Sequence, residues 1–151
     1  METGDLVPDF ELPDEDGVVR RLSDLLEAGP VVLFFYPAAM TPGCTAESCH
    51  FRDLAREFGD LGAQRVGISA DPVEKQKRFS EKHTFDFPLL SDPDGTVATI
   101  FGVRRKLGFI SPTKRATFVI GTDRKVRGVI RSEVRMNTHA DQALAILQQE
   151  P

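Results

Sequence analysis

The two cysteines of this 151-residue chain, Cys44 and Cys49, lie five residues apart. Cys44 follows an apolar stretch at residues 31–36, which predicts a buried strand, and then Thr41-Pro42, which is typical of a helix start. The unpaired N–H groups and the positive dipole at a helix N-terminus stabilise an anion, and the thiolate is the reactive form of cysteine. The pattern therefore predicts sulfur redox chemistry at Cys44.

A helical wheel separates the two thiols. At about 100° per residue, Cys44 falls on the same face as the apolar Phe51 and Phe58, whereas Cys49 falls roughly 140° away. We therefore expect Cys44 to face inward and Cys49 outward. On one intact helix their Cα atoms would be about 8–9 Å apart, and a disulfide needs a separation of less than about 7 Å. The two sulfurs can meet only if the first turn of the helix unwinds.

Size and composition restrict the class of protein. A chain of 151 residues, 40% hydrophobic and 28% charged, fits one soluble domain over residues 1–151. The formal net charge of −4 does not favour nucleic-acid binding. The N-terminus lacks the basic and apolar regions of a signal peptide, and no apolar run approaches the roughly 20 residues of a membrane span. We therefore expect a cytoplasmic protein, in which a cysteine pair is more often catalytic than structural.

The elements that would position the cysteines alternate between strands and helices. A helix over residues 45–58 has apolar residues at helical spacing, and Gly59 and Gly62 are expected to end it. Residues 116–120 and 125–130 predict a hairpin. This order predicts an α/β fold, with a central mixed β-sheet flanked by helices. The other predicted elements are strands at 31–36 and 66–70, and helices at 71–83, at 96–101 and from Thr138 to the apolar stripe Ala140, Ala143, Leu144 and Leu147.

The cysteine segment resembles a known family. Pro37-x3-Thr41-x2-Cys44 is similar to the active-site motif of the peroxiredoxins, and Thr45-x-Glu47-x-Cys49 resembles its Q-type, or bacterioferritin-comigratory, subgroup. The resemblance covers nearly the whole chain. Further matching segments are Val7–Phe10, Ser69–Asp71, Phe87–Asp92 and Arg115–Ile120.

The resemblance implies a thioredoxin-like fold and an antioxidant peroxidase that reduces hydrogen peroxide and organic hydroperoxides. It implies that Cys44 is the peroxidatic cysteine and Cys49 the intrachain resolving cysteine, recycled by a thioredoxin-like dithiol. A monomer or weak homodimer is expected, without metal, haem or flavin, because sulfur carries the electrons. The residues expected around the thiolate are Pro37, which would shield it from water, and Thr41, Gly43 and Arg115, which would bind the substrate.

Other readings of the cysteine pair remain open. The two thiols could be buried structural groups, a thiol–disulfide oxidoreductase pair or the switch of a redox sensor. A metal site is disfavoured, because it needs three or four ligands and the sequence has no second ligand cluster besides His50 and the cysteines.

Several other residues allow a structural and a functional interpretation. Glu47 could accept hydrogen bonds near the site or be a solvated helix residue. The basic residues between Arg104 and Lys114 could be a solvated loop or a positive rim that docks a reductant. His50, His83 and His139 are expected at the surface. Phe85, Phe87 and Phe109 are expected in the core, although one of them could line a peroxide channel.

Overall fold

A five-stranded mixed sheet forms the centre of the computed structural model, which describes residues 1–105 and 113–149. The elements in chain order are β1 (Glu11–Pro13), β2 (Val19–Arg21), α1 (Leu22–Leu26), β3 (Val31–Phe35), α2 (Pro42–Asp53), α3 (Ala55–Asp60), β4 (Gln64–Ser69), α4 (Val73–His83), β5 (Leu89–Ser91), α5 (Thr96–Ile100), β6 (Ala116–Ile120), β7 (Val126–Ile130) and α6 (Thr138–Gln148). The strand order is β5-β4-β3-β6-β7, and a separate hairpin pairs β1 with β2. The predicted mixed sheet is confirmed. None of the helices within the described ranges could cross a membrane.

The central strand β3 is parallel to β4 and antiparallel to β6, and all five of its residues are buried. Because side chains alternate along a strand, Leu33 and Phe35 enter one core, whereas Val32 and Phe34 enter a second core that also contains Cys44. The Phe34 ring stacks on a ring of α2, Phe51, with 4.1 Å between the centroids. Aromatic packing thus attaches α2 to the central strand that precedes it.

The helix predicted over residues 45–58 is wrong, because two helices occupy this region. α2 already begins at Pro42, and the chain leaves helical geometry at Leu54, with φ −96° and ψ 20°, before α3 begins. Gly59 lies inside α3, and the left-handed residue that follows the helix is Gly62, with φ 67°. The apolar residues of α2 and α3 face one core across the break, so periodicity alone predicts a single helix.

The sequence prediction also lacked β1, β2, α1 and β5. The three strands have three residues each and α1 has five, which is too short to establish a periodicity. Asn137, not Thr138, occupies the N-cap position of α6, so Thr138 is its first helical residue. The remaining predicted elements are confirmed, with β6 matching its predicted bounds.

Gly67 on β4 makes room for the aromatic packing under α2. A Cβ atom at this position would lie 2.8 Å from Leu89 Cδ2 and 3.0 Å from Phe34 Cζ. Gly67→Ala is therefore expected to overpack the core and lower the free energy of unfolding by about 1–3 kcal/mol in urea denaturation.

The matched control for this change is Gly59→Ala. A Cβ atom at Gly59 would meet nothing within 4 Å, so alanine is expected to raise the free energy of unfolding by up to about 1 kcal/mol. Equal effects of the two substitutions would contradict the packing argument.

Candidate active site

The site begins where β3 ends. Thr41 occupies the N-cap position of α2 and Pro42 the first helical position, as the sequence predicts. Cys44 therefore lies in the first turn, and its side chain is fully buried, which confirms the inward direction. The Thr41 hydroxyl does not cap the helix but donates to Ala38 O at 2.7 Å. It instead closes the loop that leads into the helix.

Arg115 reaches the same place from the start of the neighbouring strand, β6. The antiparallel register of β3 and β6 puts Ala116 opposite Phe35, so the start of β6 lies beside the end of β3. Arg115 is buried directly before β6, and its Nη2 donates to Cys44 Sγ at 3.3 Å. The structure thus brings together two residues that are 71 positions apart in sequence.

Glu47 shares the same guanidinium. It lies one helical turn after Cys44 with its side chain fully buried, and Arg115 Nη1 donates to its Oε1 at 2.6 Å. The interpretation in which Glu47 accepts a hydrogen bond near the site is confirmed, and the interpretation as a solvated helix residue is wrong. Burial raises the pKa of Glu47 to about 8, although the Arg115 charge and hydrogen bond act to lower it. Burial acts to lower the pKa of Arg115, but the facing Glu47 and Cys44 raise it overall.

His139 lies behind Glu47, so its predicted surface position is wrong. Its side chain is fully buried, Nδ1 lies 2.8 Å from Thr117 Oγ1 and Nε2 lies 2.8 Å from Ser132 O. Nδ1 also lies 3.6 Å from Glu47 Oε2. The signal for burial was present in the sequence, because His139 precedes Ala143 by four residues and so shares the predicted apolar face of α6.

The loop before α2 is fixed by Asp71, a residue of the matching segment Ser69–Asp71 for which the sequence predicts no contact with the cysteine loop. Asp71 Oδ2 accepts hydrogen bonds from the Ala39 backbone N–H and from Ser69 Oγ, both at 2.7 Å. Within this loop Pro37 is partly buried, and Met40 adopts a left-handed backbone with φ 71°. The loop is therefore tied to the end of β4.

Gly43 provides close packing at the start of α2. A Cβ atom there would lie 3.1 Å from Met136 Cε and 3.4 Å from Arg115 Nη2. The glycine therefore lets Met136 and the guanidinium approach the helix backbone. Met136 precedes α6 and belongs to no recognisable motif, so the sequence alone does not predict its place at the site.

Cys49 is partly exposed on the same helix, and α2 runs unbroken across both cysteines, which are free thiols. Burial raises the pKa of Cys49, with the charge of Arg52 opposing it. The next residue, His50, is also partly exposed and pairs through Nε2 with Asp141 Oδ1 of α6 at 2.8 Å. The second half of α2 is thereby tied to α6.

The basic stretch is only partly described. Arg104 is exposed and donates to Asp94 O at 2.7 Å, whereas Arg105 pairs with Glu133 at 3.1 Å. Lys106 and Phe109 lie outside the described residues.

Among the residues that the structure describes, no group of histidine, cysteine and carboxylate side chains could hold a metal ion. Phe87 is buried in the core with Cys44, and Phe85 packs against that core.

Comparisons with known proteins agree with this geometry. Residues 3–129 match the AhpC/TSA family. A putative peroxiredoxin of Mycobacterium tuberculosis is 67% identical over 148 residues, covering 97% of this chain and 96% of the relative.

Solved structures show the same fold. The crystal structure of peroxidoxin BcpB from Mycobacterium tuberculosis has a TM-score of 0.94 and 66% identity, over 98% of this chain and 97% of that one. A bacterioferritin comigratory protein of Xanthomonas campestris, studied for alkyl peroxide reduction, has a TM-score of 0.87 and 32% identity, over 98% of both chains. These likenesses confirm the thioredoxin-like fold and the predicted family. This chain belongs to the AhpC/TSA family and is a peroxiredoxin of the Q type, a cysteine-based peroxidase.

Proposed function

We propose that Cys44 is the peroxidatic cysteine of this peroxidase, that Arg115 and Thr41 assist it, and that Cys49 resolves the oxidised form. The observation that carries the proposal is the 3.3 Å contact between Arg115 Nη2 and the buried Cys44 Sγ. A guanidinium held against sulfur favours the thiolate, which is the nucleophile.

The first step breaks the O–O bond of the hydroperoxide. The Cys44 thiolate attacks the terminal oxygen and becomes a sulfenic acid, and the other oxygen leaves as an alkoxide or hydroxide that takes up a proton. Arg115 is placed to stabilise the negative charge that develops on the leaving oxygen. Thr41 and the Cys44 backbone N–H would orient the substrate beside Gly43, and Pro37 would limit the access of water.

The second step joins the two sulfurs. The Cys49 thiol condenses with the Cys44 sulfenic acid, which gives a disulfide and water. Because both residues lie on one unbroken helix, the first turn of α2 would have to unwind before the sulfurs meet. A thioredoxin-like dithiol would then reduce the disulfide and become oxidised itself.

The proposed location of the protein is the cytoplasm, because recycling by a dithiol requires a reducing environment. Both cysteines and the residues proposed to assist them come from one chain, so a monomer or weak homodimer would suffice. Hydrogen peroxide and alkyl hydroperoxides are the proposed substrates, because the Xanthomonas campestris relative was studied for alkyl peroxide reduction.

Cys44→Ser tests the nucleophile. Serine has a hydroxyl in place of the thiol and cannot form a thiolate. Peroxide consumption is therefore expected to stop, both in steady state and in single turnover of the reduced protein. The measurement is loss of hydrogen peroxide after mixing with one equivalent of protein. Stoichiometric peroxide loss in the variant would overturn the role of Cys44. A wild-type protein that does not consume peroxide would indicate a thiol–disulfide oxidoreductase instead.

Cys49→Ser separates resolution from attack. One equivalent of peroxide is expected to be consumed as fast as in the wild type, leaving a Cys44 sulfenic acid that mass spectrometry detects. Turnover coupled to thioredoxin and its reductase is then expected to fail, since no intrachain disulfide can form. Unimpaired coupled turnover would show that another thiol resolves Cys44.

Arg115→Lys tests the guanidinium. Lysine keeps the positive charge but cannot contact Cys44 and Glu47 through two separate nitrogens, so kcat/KM for peroxide is expected to fall about 10²–10³-fold.

The control for Arg115→Lys is Arg65→Lys. Arg65 is also buried and forms two hydrogen bonds with the Asp86 carboxylate. This variant is expected to lose stability while kcat/KM changes less than about threefold. Similar losses of kcat/KM in both variants would show that Arg115 acts only through folding.

A further inference from the structure

One peptide group of the loop before α2 is held at both of its polar ends. It is the peptide group between Ala38 and Ala39, called here the anchored peptide. The Ala39 N–H donates to Asp71 Oδ2 at 2.7 Å, and the carbonyl oxygen, Ala38 O, accepts from Thr41 Oγ1 at 2.7 Å. Because the N–H and C=O of a planar trans peptide point in opposite directions, fixing the N–H also fixes the carbonyl. The Asp71 carboxylate therefore determines where the Thr41 hydroxyl finds its acceptor.

This contact gives the Thr41 hydroxyl a defined polarity. A carbonyl oxygen can only accept a hydrogen bond, so the single proton of Thr41 Oγ1 is directed at Ala38 O. The lone pairs of Oγ1 remain for a ligand. A hydroperoxide carries a proton on its terminal oxygen, which is the atom that the Cys44 thiolate would attack. Thr41 is thus prepared to accept that proton in a hydrogen bond.

Asp71 is itself held by a chain of buried side chains. Tyr36 Oη donates to Gln76 Oε1 at 2.5 Å, and Gln76 Nε2 donates to Ser69 Oγ at 2.9 Å. Ser69 Oγ then donates to Asp71 Oδ2 at 2.7 Å. These three partners are at most 1% exposed. The oxygen that accepts from the anchored peptide is therefore positioned from the core of the protein.

The segment between the anchored peptide and α2 needs this support. Met40 has φ 71°, a left-handed conformation that a residue with a Cβ atom adopts at a cost. Such a conformation persists only where the surrounding contacts determine it. On one side of Met40 the chain enters α2 at its N-cap, Thr41, and on the other side Asp71 holds the Ala39 N–H. Removing the Asp71 acceptor is therefore expected to release Met40 and to change the orientation of the Thr41 hydroxyl.

We propose that Asp71 is a positioning residue for the peroxidase reaction: its Oδ2 holds the anchored peptide, so that Thr41 presents an acceptor oxygen to the terminal O–H of the hydroperoxide. The inference rests on the proposed function of Cys44 and Thr41. Asp71 acts through Thr41 and not on the sulfur, which keeps its contact with Arg115 Nη2. Loss of the Asp71 acceptor therefore slows the reaction with peroxide but leaves the thiolate as reactive as before.

The test compares two reagents that attack the same thiolate. In a Cys49→Ser background, the reduced protein is mixed with hydrogen peroxide or with iodoacetamide, which has no O–O–H group, and mass spectrometry follows Cys44. Asp71→Ala is expected to lower the second-order rate constant for peroxide about 5- to 20-fold and to change that for alkylation less than about twofold. A parallel loss of both rates, or an unchanged peroxide rate, would refute the proposal. If the proposed function itself is wrong, Cys44 is alkylated but reacts with peroxide in no variant, the Asp71 parent included.

A conservative variant and a matched control separate the acceptor from the charge. Asp71→Asn keeps an acceptor oxygen for the anchored peptide, so the peroxide rate is expected to stay within about threefold of the parent. Lys75→Met removes the 3.2 Å ion pair to the other carboxylate oxygen, Asp71 Oδ1, and is expected to change both rates less than about twofold. A loss in either variant as large as that in Asp71→Ala would assign the effect to charge and contradict the proposed role.

The decisive comparison repeats Asp71→Ala in a Thr41→Val background. Valine matches the shape of threonine but has no hydroxyl to orient, so the effect of Asp71 on the peroxide rate is expected to shrink to less than about twofold. An equal fold-loss in both backgrounds would show that Asp71 does not act through Thr41.

Hydrogen exchange covers the case in which Asp71→Ala does not fold. In the protein with Asp71 intact, NMR is expected to show the Ala39 amide exchanging more than about tenfold slower than an unstructured amide, because it donates to a carboxylate. Exchange of Ala39 at the unstructured rate would rule out the anchored peptide.

Discussion

One buried guanidinium facing two acids is the constraint on which the site depends. Arg115 contacts Cys44 Sγ through one nitrogen and Glu47 Oε1 through another. A single positive charge cannot fully neutralise two buried anions, and an uncompensated buried charge is costly. Burial raises the pKa of Glu47 to about 8. A protonated carboxyl group at this position would leave the Arg115 charge to Cys44.

The fold supplies this arrangement by strand direction. β3 delivers the chain to the start of α2, and the antiparallel β6 begins at the same edge with Arg115 just before it. Parallel β4 ends there too, followed by Asp71, which holds the active-site loop through the Ala39 N–H. Helix α6 closes the back of the site with His139. Four segments distant in sequence thus meet at one edge of the sheet, each fixed by backbone pairing or buried packing.

The sequence predicts the positions of Cys44 and Arg115 better than those of the residues around them. Cys44 is located by its helix start, and Arg115 by its family resemblance, since no local pattern links residues so far apart. His139 was misplaced because a histidine in a polar helix start is typical of a surface residue, although its four-residue offset from Ala143 indicates burial. The break at Leu54 depends on tertiary packing, which sequence periodicity does not report. The short strands β1, β2 and β5 are stabilised by pairing partners distant in sequence.

The unbroken α2 has a consequence for the reduction potential of the enzyme. In the proposed cycle the Cys44–Cys49 disulfide exists only with the first turn unwound, whereas the dithiol form keeps the turn and its contacts to Arg115. The free energy of that turn therefore enters the thiol–disulfide equilibrium. Whatever stabilises the turn, including the close packing of Met136 and Arg115 against Gly43, makes the disulfide more oxidising and easier for a dithiol to reduce. The stability of the first turn of α2 therefore contributes to the reduction potential of the proposed disulfide.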